Sequence, residues 1–133
     1  MKQVLFVCVH NAGRSQMAEA FLNHYAKQQA LPMRAESAGT LGAGSLNPIA
    51  VQVMEERGIS MAHQLPEQLT QEMTDRADIV ISMGCGVDAE ACPAKFLVTE
   101  DWGLDDPAGQ PIERVREIRD QIERKVEDLI SRS

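Results

Sequence analysis

Apolar residues follow two different spacings along this chain. In 2–8 and 77–83 nearly every position is apolar, which is typical of short strands buried on both faces of a parallel sheet. Weaker runs at 33–37 and 95–98 are two further strand candidates. Between the runs lie segments in which apolar residues recur every three or four positions, as in amphipathic helices. This alternation predicts an α/β three-layer sandwich in which a four-stranded parallel sheet is flanked by helices.

Local signals place the ends of the helices. Ser15 is suited to cap the first helix, and the Leu31-Pro32 pair ends it. Pro48 and Pro111 each stand where a proline opens a helix, and the Arg57-Gly58 pair stops the second one. The predicted helices cover 15–30, 48–57, 69–76 and 111–130. The residues predicted to point inward from the last helix are Val115, Ile118, Ile122, Val126 and Ile130.

Size and composition narrow the class of protein. A chain of 133 residues is expected to form a single domain over 1–133. A net charge of −7 argues against nucleic acid or an anionic membrane as a partner. No apolar run reaches the length of about eighteen residues that a membrane span needs, and no signal peptide is visible. Three cysteines make an odd number for a secreted disulfide framework. We therefore expect a cytoplasmic protein. A monomer is the expected oligomeric state.

The junction between the first strand and the first helix carries the strongest chemical signal. Cys8 ends the strand, and Arg14 follows after five intervening residues. A loop of this length can direct its N–H groups at one tetrahedral oxyanion, while the helix N-terminus and Arg14 add positive charge. The same field favours the thiolate form of Cys8. The loop thus predicts covalent chemistry on a phosphate-like species. The candidate oxyanion ligands are Val9, His10, Asn11, Ala12, Gly13, Arg14 and Ser15.

Cys8 and Arg14 also have ordinary structural interpretations, and Ser15 and Asn11 have supporting roles in the loop. A cysteine at the end of a buried strand is often a small core residue, and Arg14 alone could form a surface ion pair. Ser15 is suited to donate a hydrogen bond to the Cys8 sulfur, which would favour the thiolate. Asn11 is expected to fix the loop, and a left-handed backbone at this position is one that asparagine tolerates.

Five features in a fixed order resemble the low-molecular-weight protein tyrosine phosphatase superfamily. They are the strand 4–8 (VLFVC), the loop from Cys8 to Arg14 followed by Ser15, the segment 15–19 (SQMAE), the turn 37–40 (SAGT) and the Asp106-Pro107 pair. The resemblance covers nearly the whole chain and implies the phosphatase-like fold. It also implies that Cys8 is the nucleophile, that Arg14 holds the oxyanion and that Asp106 is the general acid. Asp105 competes with Asp106, since either carboxylate could merely cap a turn.

A second pair of cysteines resembles one branch of that superfamily. Cys85 and Cys92 have six residues between them, as in the thioredoxin-coupled arsenate reductases. The resemblance implies arsenate as substrate, no tightly bound cofactor and thioredoxin as electron donor, although a glutaredoxin or a small thiol could serve. Cys85 would attack Cys8 and release arsenite, and Cys92 would then attack Cys85. The alternatives are two inert thiols or metal ligands, but no clear His or Cys partner pair lies near them.

The resemblance leaves three further points open. In some relatives, residues like Asn11, Glu19 and Ser37 help to hold a potassium ion, so potassium is a candidate ligand. A further acidic ligand expected after His63 is not evident, because the segment 65–67 aligns ambiguously.

Trp102 is expected to pack at the mouth of the site. The alternative function is a phosphatase acting on phosphotyrosine or small phosphomonoesters, and the scarcity of aromatic residues, 4% of the chain, favours an inorganic substrate.

Overall fold

The computed structural model describes residues 2–40, 44–83 and 100–132. Its strands are interspersed with helices along the chain, as predicted. In chain order they are β1 (Lys2–Cys8), α1 (Arg14–Gln28), β2 (Met33–Gly39), α2 (Pro48–Glu55), α3 (Gln71–Arg76), β3 (Ile79–Ser82), β4 (Glu100–Asp101) and α4 (Ile112–Arg132). The strands of these ranges form one parallel sheet in the order β2-β1-β3-β4. This confirms the predicted sheet.

Strand β1 lies inside the sheet, and its position determines where the first loop emerges. It pairs with β2 from Lys2 to Cys8 and with β3 from Val4 to Val7. The four described strands are parallel, so their carboxyl ends lie at one edge, which is where open α/β sheets commonly bind ligands. The loop that follows Cys8 therefore starts at this edge, beside the residues that follow β3.

Alternate residues of β1 point into two separate hydrophobic layers. Val4, Phe6 and Cys8 pack into the larger layer, which also contains buried residues of α1, α2 and α4. Leu5 and Val7 face the smaller layer, which contains Ala38, Leu69, Met73 and Val80. The run 2–8 is apolar throughout because both faces of β1 are covered. Helices on both faces confirm the three-layer arrangement. Among the described helices, none has the length and apolar character to cross a bilayer.

Three sequence predictions need correction in detail. Helix α1 begins at Arg14 with Gly13 at the N-cap and no side-chain cap, so the prediction that Ser15 caps it is wrong. The third helix is shorter than predicted and covers Gln71–Arg76. In α4 the fully covered residue near the end is Leu129, whereas Ile130 is only partly buried. The predicted strand at 95–98 lies outside the described residues.

Trp102 does not pack at the mouth of a site, as the sequence suggested. Its side chain is 3% exposed and its ring lies 5.3 Å from that of Phe6, centroid to centroid. The indole N–H donates to Glu100 Oε1 at 2.9 Å. Because this bond satisfies its polar atom, the aromatic body can be buried in the larger layer.

The C-terminus of α1 ends in a tight turn that places alanine where glycine is usual. Leu31 N donates to Ala26 O at 2.8 Å and Ala30 N to Lys27 O at 3.4 Å, which is the hydrogen-bond pattern of a Schellman motif. Ala30 has a φ of 52°. An L-residue with a Cβ is strained in this left-handed region.

Replacing Ala30 by glycine should therefore stabilise the protein. We expect Ala30→Gly to raise the free energy of unfolding by about 0.5–1 kcal/mol, after part of the gain is offset by the freer unfolded chain. Urea denaturation at one pH measures this difference. The matched control is Gln28→Gly at the last residue of α1, which should lower the free energy of unfolding by about 0.5–1 kcal/mol. A loss of stability in Ala30→Gly would contradict the argument.

Candidate active site

The Cys8 sulfur is held by donors from its own loop. The Asn11 backbone N–H donates to Cys8 Sγ at 3.1 Å, and the Ser15 hydroxyl oxygen lies 2.9 Å from the same sulfur. Cys8 is 4% exposed, so these groups replace water around it. Hydrogen bonds of this kind favour the charged form of a thiol.

The direction of the hydrogen bond between Ser15 and Cys8 follows from the neighbours of Ser15. The Asn11 side-chain Nδ2 donates to Ser15 Oγ at 2.8 Å. Ser15 therefore accepts from Asn11 and retains its one O–H to donate to the sulfur. The predicted bond from Ser15 to Cys8 is present, and Ser15 itself is fully buried behind the loop.

Asn11 shapes the loop with both its backbone and its side chain. Its φ of 56° is in the left-handed region, as predicted. This conformation accompanies the turn by which its own N–H reaches the sulfur of Cys8. Its side-chain Oδ1 accepts from Gln16 Nε2 and from the backbone N–H of Glu67, each at 2.8 Å. The loop is thus tied to a segment more than fifty positions later in the chain.

Arg14 is anchored by two other loops at the same sheet edge. Its Nη1 donates to Met83 O at 3.0 Å and to Leu104 O at 2.6 Å. Those bonds use both hydrogens of Nη1, so a bidentate contact to an oxyanion would fall to Nε and Nη2. Arg14 is 8% exposed and lines the same cavity as Cys8.

The cavity beside Cys8 has a volume of about 480 Å³ and three walls. The first wall is the loop 8–14, the second is 45–49 at the start of α2, and the third is 106–109 before α4. Of the predicted ligands, the cavity is lined by His10, Asn11, Ala12, Gly13 and Arg14. Val9 and Ser15 are not among its lining residues. The structure therefore brings most of the predicted loop residues to one cavity.

The two candidate acids occupy different places. Asp106 lines the cavity, and its Oδ1 accepts from the Ala108 N–H at 3.0 Å. Asp105 pairs instead with Arg114 of α4 and does not line the cavity. Of the two carboxylates, only Asp106 is placed beside the Cys8 site.

Two glycines allow close approaches that the sequence analysis did not foresee. A Cβ on Gly39 would lie 2.5 Å from Val9 O and 3.0 Å from Asn11 N. A Cβ on Gly13 would lie 2.9 Å from Pro107 Cγ. Gly39 belongs to the SAGT turn that carried part of the family resemblance, and that turn was the available signal.

Polar residues outside the predicted set also support the loop. Asn47 N donates to Ala12 O at 2.9 Å, while its side-chain oxygen caps α2 by accepting from Ile49 N and Ala50 N. The asparagine before Pro48 was a visible capping signal, but its bond to the loop was not. Gln16 lies in the SQMAE segment that carried part of the family resemblance, whereas Gln64 carried no signal beyond its polarity.

The second pair of cysteines, Cys85 and Cys92, lies outside the described residues. The segment that carries them starts directly after Met83. Because the Met83 carbonyl accepts from Arg14, the chain enters this segment next to the loop.

Comparison with known proteins agrees with the geometry. The profile of the family described as low molecular weight phosphotyrosine protein phosphatase matches residues 3–132. A putative arsenate reductase of Halobacterium salinarum is 41% identical over 129 residues, covering 93% of this chain and 87% of that protein. The glutaredoxin arsenate reductase of Synechocystis sp. is 38% identical over 133 residues, covering 99% and 98%. The solved structure of the Corynebacterium glutamicum thioredoxin-dependent arsenate reductase has a TM-score of 0.78 and 36% identity, covering 98% of this chain and 61% of that chain.

A half-buried carboxylate lies on α1 one turn beyond the loop. Glu19 Oε1 accepts from the Ser37 hydroxyl at 2.8 Å. The pKa of Glu19 is raised from 4.5 to about 7, and burial of the carboxylate is the largest cause. The neighbouring Glu67 and Glu36 act in the same direction, and the hydrogen bond from Ser37 opposes the shift. The folded protein therefore binds a proton here that the unfolded chain releases at lower pH.

This shift predicts that Glu19→Gln raises the free energy of unfolding, and that the increase depends on pH. As pH rises from 4.5 towards 7, the unfolded chain loses the Glu19 proton first, so wild type loses stability relative to a variant that cannot ionise. The free energy of unfolding of Glu19→Gln should exceed that of wild type by on the order of 1–3 kcal/mol at pH 8. The excess should shrink below pH 4.5. Urea titrations across this range measure it, with Glu55→Gln on α2 as the control for losing one negative charge. A difference that does not change with pH would contradict the assignment.

Proposed function

The chain belongs to the low molecular weight phosphotyrosine protein phosphatase family, and on that premise we propose that it reduces arsenate to arsenite with Cys8 as the nucleophile. One observation carries this chemistry. The Cys8 sulfur lines the cavity and lies within hydrogen-bond distance of the Asn11 N–H and the Ser15 hydroxyl. Relatives named arsenate reductases match nearly the whole chain at 41% and 38% identity. They support arsenate over an organic phosphate.

Arsenate suits this cavity because it is a tetrahedral oxyanion close to phosphate in shape and charge. The loop N–H groups and the Arg14 guanidinium supply donors for its oxygens. Arg14 is held by the Met83 and Leu104 carbonyls before substrate arrives. Donors that are already oriented stabilise developing charge without reorganising during the reaction.

The first step forms a bond between sulfur and arsenic. The Cys8 thiolate attacks arsenic, and the leaving hydroxyl takes a proton from Asp106 and departs as water. Asp106 is our choice of acid because it lines the cavity, whereas Asp105 is paired with Arg114. Cys8 and arsenic remain joined, and arsenic is still in the +5 state.

The second step supplies the two electrons. The Cys85 thiolate attacks the Cys8 sulfur, and the electron pair of the sulfur–arsenic bond passes to arsenic, which leaves as arsenite in the +3 state. Cys92 then attacks the Cys85 sulfur, which frees the Cys8 thiolate and leaves a Cys85–Cys92 disulfide. In sum, arsenate and one dithiol become arsenite, water and one disulfide.

The place where the chain leaves β3 supports this sequence of attacks. Cys85 is two residues beyond Met83, whose carbonyl lies 3.0 Å from Arg14 Nη1. Two residues of extended chain span about 7 Å. The second thiol is therefore joined by a short tether to a residue in contact with the substrate loop.

A dithiol protein is needed to reduce the Cys85–Cys92 disulfide. We assign thioredoxin to this step, because one solved relative at 36% identity is thioredoxin-dependent. Another relative is named a glutaredoxin arsenate reductase, so glutaredoxin with glutathione is the competing donor.

Potassium does not fit the Asn11 oxygens in this chain. Asn11 Oδ1 already accepts from Gln16 Nε2 and from the Glu67 N–H, and the Asn11 carbonyl accepts from Gln16 Nε2 as well. Amide hydrogens thus take the positions that a cation would need. Glu19 and Ser37 are bonded to each other.

Replacing Cys85 and replacing Cys92 should stop the reaction at different steps. With thioredoxin, thioredoxin reductase and NADPH, Cys85→Ser should release no arsenite, because nothing attacks the Cys8–arsenic adduct. Cys92→Ser should release one equivalent and stop at a Cys8–Cys85 disulfide. Arsenite is measured by chromatography with elemental detection, and the bridge by peptide mass spectrometry.

Hydrolysis of p-nitrophenyl phosphate is the control for this experiment. It needs neither Cys85 nor Cys92, so both variants should retain it and Cys8→Ser should lose it. A parallel arm replaces thioredoxin by glutaredoxin and glutathione. Sustained arsenate turnover by both Cys85→Ser and Cys92→Ser with thioredoxin would refute the proposed order of cysteine attacks. Wild-type hydrolysis without any arsenite formation would favour the phosphatase alternative.

The two aspartates before Pro107 offer a matched pair of variants. Asp106→Asn should slow single-turnover arsenite release by about 10²- to 10⁴-fold, since an amide cannot protonate the leaving oxygen. Its oxygen can still accept from the Ala108 N–H, so the turn is preserved. Asp105→Asn should stay within about twofold of wild type, because an exposed ion pair contributes little. A larger loss in Asp105→Asn than in Asp106→Asn would reverse the assignment.

A further inference from the structure

A chain of buried hydrogen bonds runs from Gln64 to the Cys8 sulfur. Gln64 Nε2 donates to Gln16 Oε1 at 2.6 Å, and Gln16 Nε2 donates to Asn11 Oδ1 at 2.8 Å. Asn11 Nδ2 donates to Ser15 Oγ at 2.8 Å, and Ser15 lies 2.9 Å from Cys8 Sγ. The two glutamines are 7% and 1% exposed. Neither side chain takes part in the proposed reaction steps.

Backbone groups fix the orientation of each side-chain amide in this series of hydrogen bonds. Gln16 Nε2 faces the carbonyls of Asn11 and Leu65, each at 3.0 Å, and a carbonyl can only accept. Gln64 Nε2 faces the Gln16 carbonyl at 3.1 Å. A reversed Gln16 amide would set oxygen against three oxygens. The donors of all the amides therefore point towards the sulfur.

Gln16 also joins the loop to the segment that holds the Asn11 side chain. It contacts Asn11 on one side and the Leu65 carbonyl on the other. That segment supplies the Glu67 N–H, the second donor to Asn11 Oδ1. With its oxygen held by two donors, the Asn11 amide can offer Ser15 only its nitrogen. Ser15 must then give its O–H to the sulfur.

We propose that Gln16, held in turn by Gln64, is a positioning residue that keeps the Ser15 hydroxyl donated to the Cys8 thiolate. This inference rests on the proposed role of Cys8 as the nucleophile. An amide is required at position 16 because the site needs a donor towards Asn11 and an acceptor towards Gln64. Neither side chain lines the cavity, so both act through Asn11 and Ser15.

The test follows the pH dependence of Cys8 alkylation by iodoacetamide, read on the Cys8 peptide of the reduced protein by mass spectrometry. This needs no arsenate, so its outcome is independent of whether the chain reduces arsenate. Ser15→Ala removes the donor and should raise the pH midpoint by about one unit. Gln16→Met adds no charge and should raise it by about half a unit, and Gln64→Met by less.

The double variant Ser15→Ala/Gln16→Met decides whether Gln16 acts through Ser15. The double variant should show the shift of Ser15→Ala alone, because the hydroxyl that Gln16 positions is already gone. Gln68→Met is the matched control, since Gln68 donates to Thr40 O and lies outside this chain of bonds. Its midpoint should equal that of wild type.

Affinity for inorganic phosphate, measured by calorimetry, separates positioning from general support of the loop. Gln16→Met and Gln64→Met should bind phosphate within about threefold of wild type, since Arg14 and the loop N–H groups are retained. Gln64→Met carries the test if Gln16→Met does not fold. An unshifted midpoint in both glutamine variants, additive shifts in the double variant, or loss of phosphate binding together with the shift would each overturn the proposal.

Discussion

Cys8 is 4% exposed, and a buried polar atom is stable only where hydrogen-bond partners replace the water it has lost. Two donors do so, the Asn11 N–H and the Ser15 hydroxyl. The first reaches back over three residues, which accompanies the left-handed backbone of Asn11 at a φ of 56°. The Asn11 side-chain nitrogen donates to the Ser15 oxygen, which leaves the Ser15 hydrogen for the sulfur. The conformation of the loop follows from this requirement.

The sheet provides the frame in which such a loop can form. Cys8 is paired with Gly39 of β2, and the absence of a side chain at Gly39 lets the loop backbone lie against it. Arg14 joins the loop to the carbonyls of Met83 and Leu104. Three separate stretches of chain thus meet at the carboxyl edge of the parallel strands. The fold contributes rigidity there, because each stretch leaves a strand or enters a helix that is packed in a core.

The acidic character of the protein is compatible with an anion site because the site is local. The net charge is −7, yet the Arg14 guanidinium lines the cavity and helix α1 begins at this same residue. Short-range hydrogen bonds in a partly buried place outweigh distant charges that water and salt screen. Asp105 is also paired with Arg114 and lies outside the cavity. Of these two carboxylates, Asp106 is thus the one that lines the cavity.

By itself the sequence determined the features that depend on neighbouring residues. The buried run 2–8, the spacing of Cys8 and Arg14, and the helical periodicities are local, and each was recognisable because strand, loop and helix geometry repeat over a few residues. Tertiary structure decided the rest. It joined Gln16 to Gln64 across 48 positions and buried Trp102 against Phe6. It also paired Asp105 with Arg114 and left Asp106 at the cavity. Such partners are chosen by distance in space and by the need to satisfy buried polar atoms, and a linear pattern carries neither quantity.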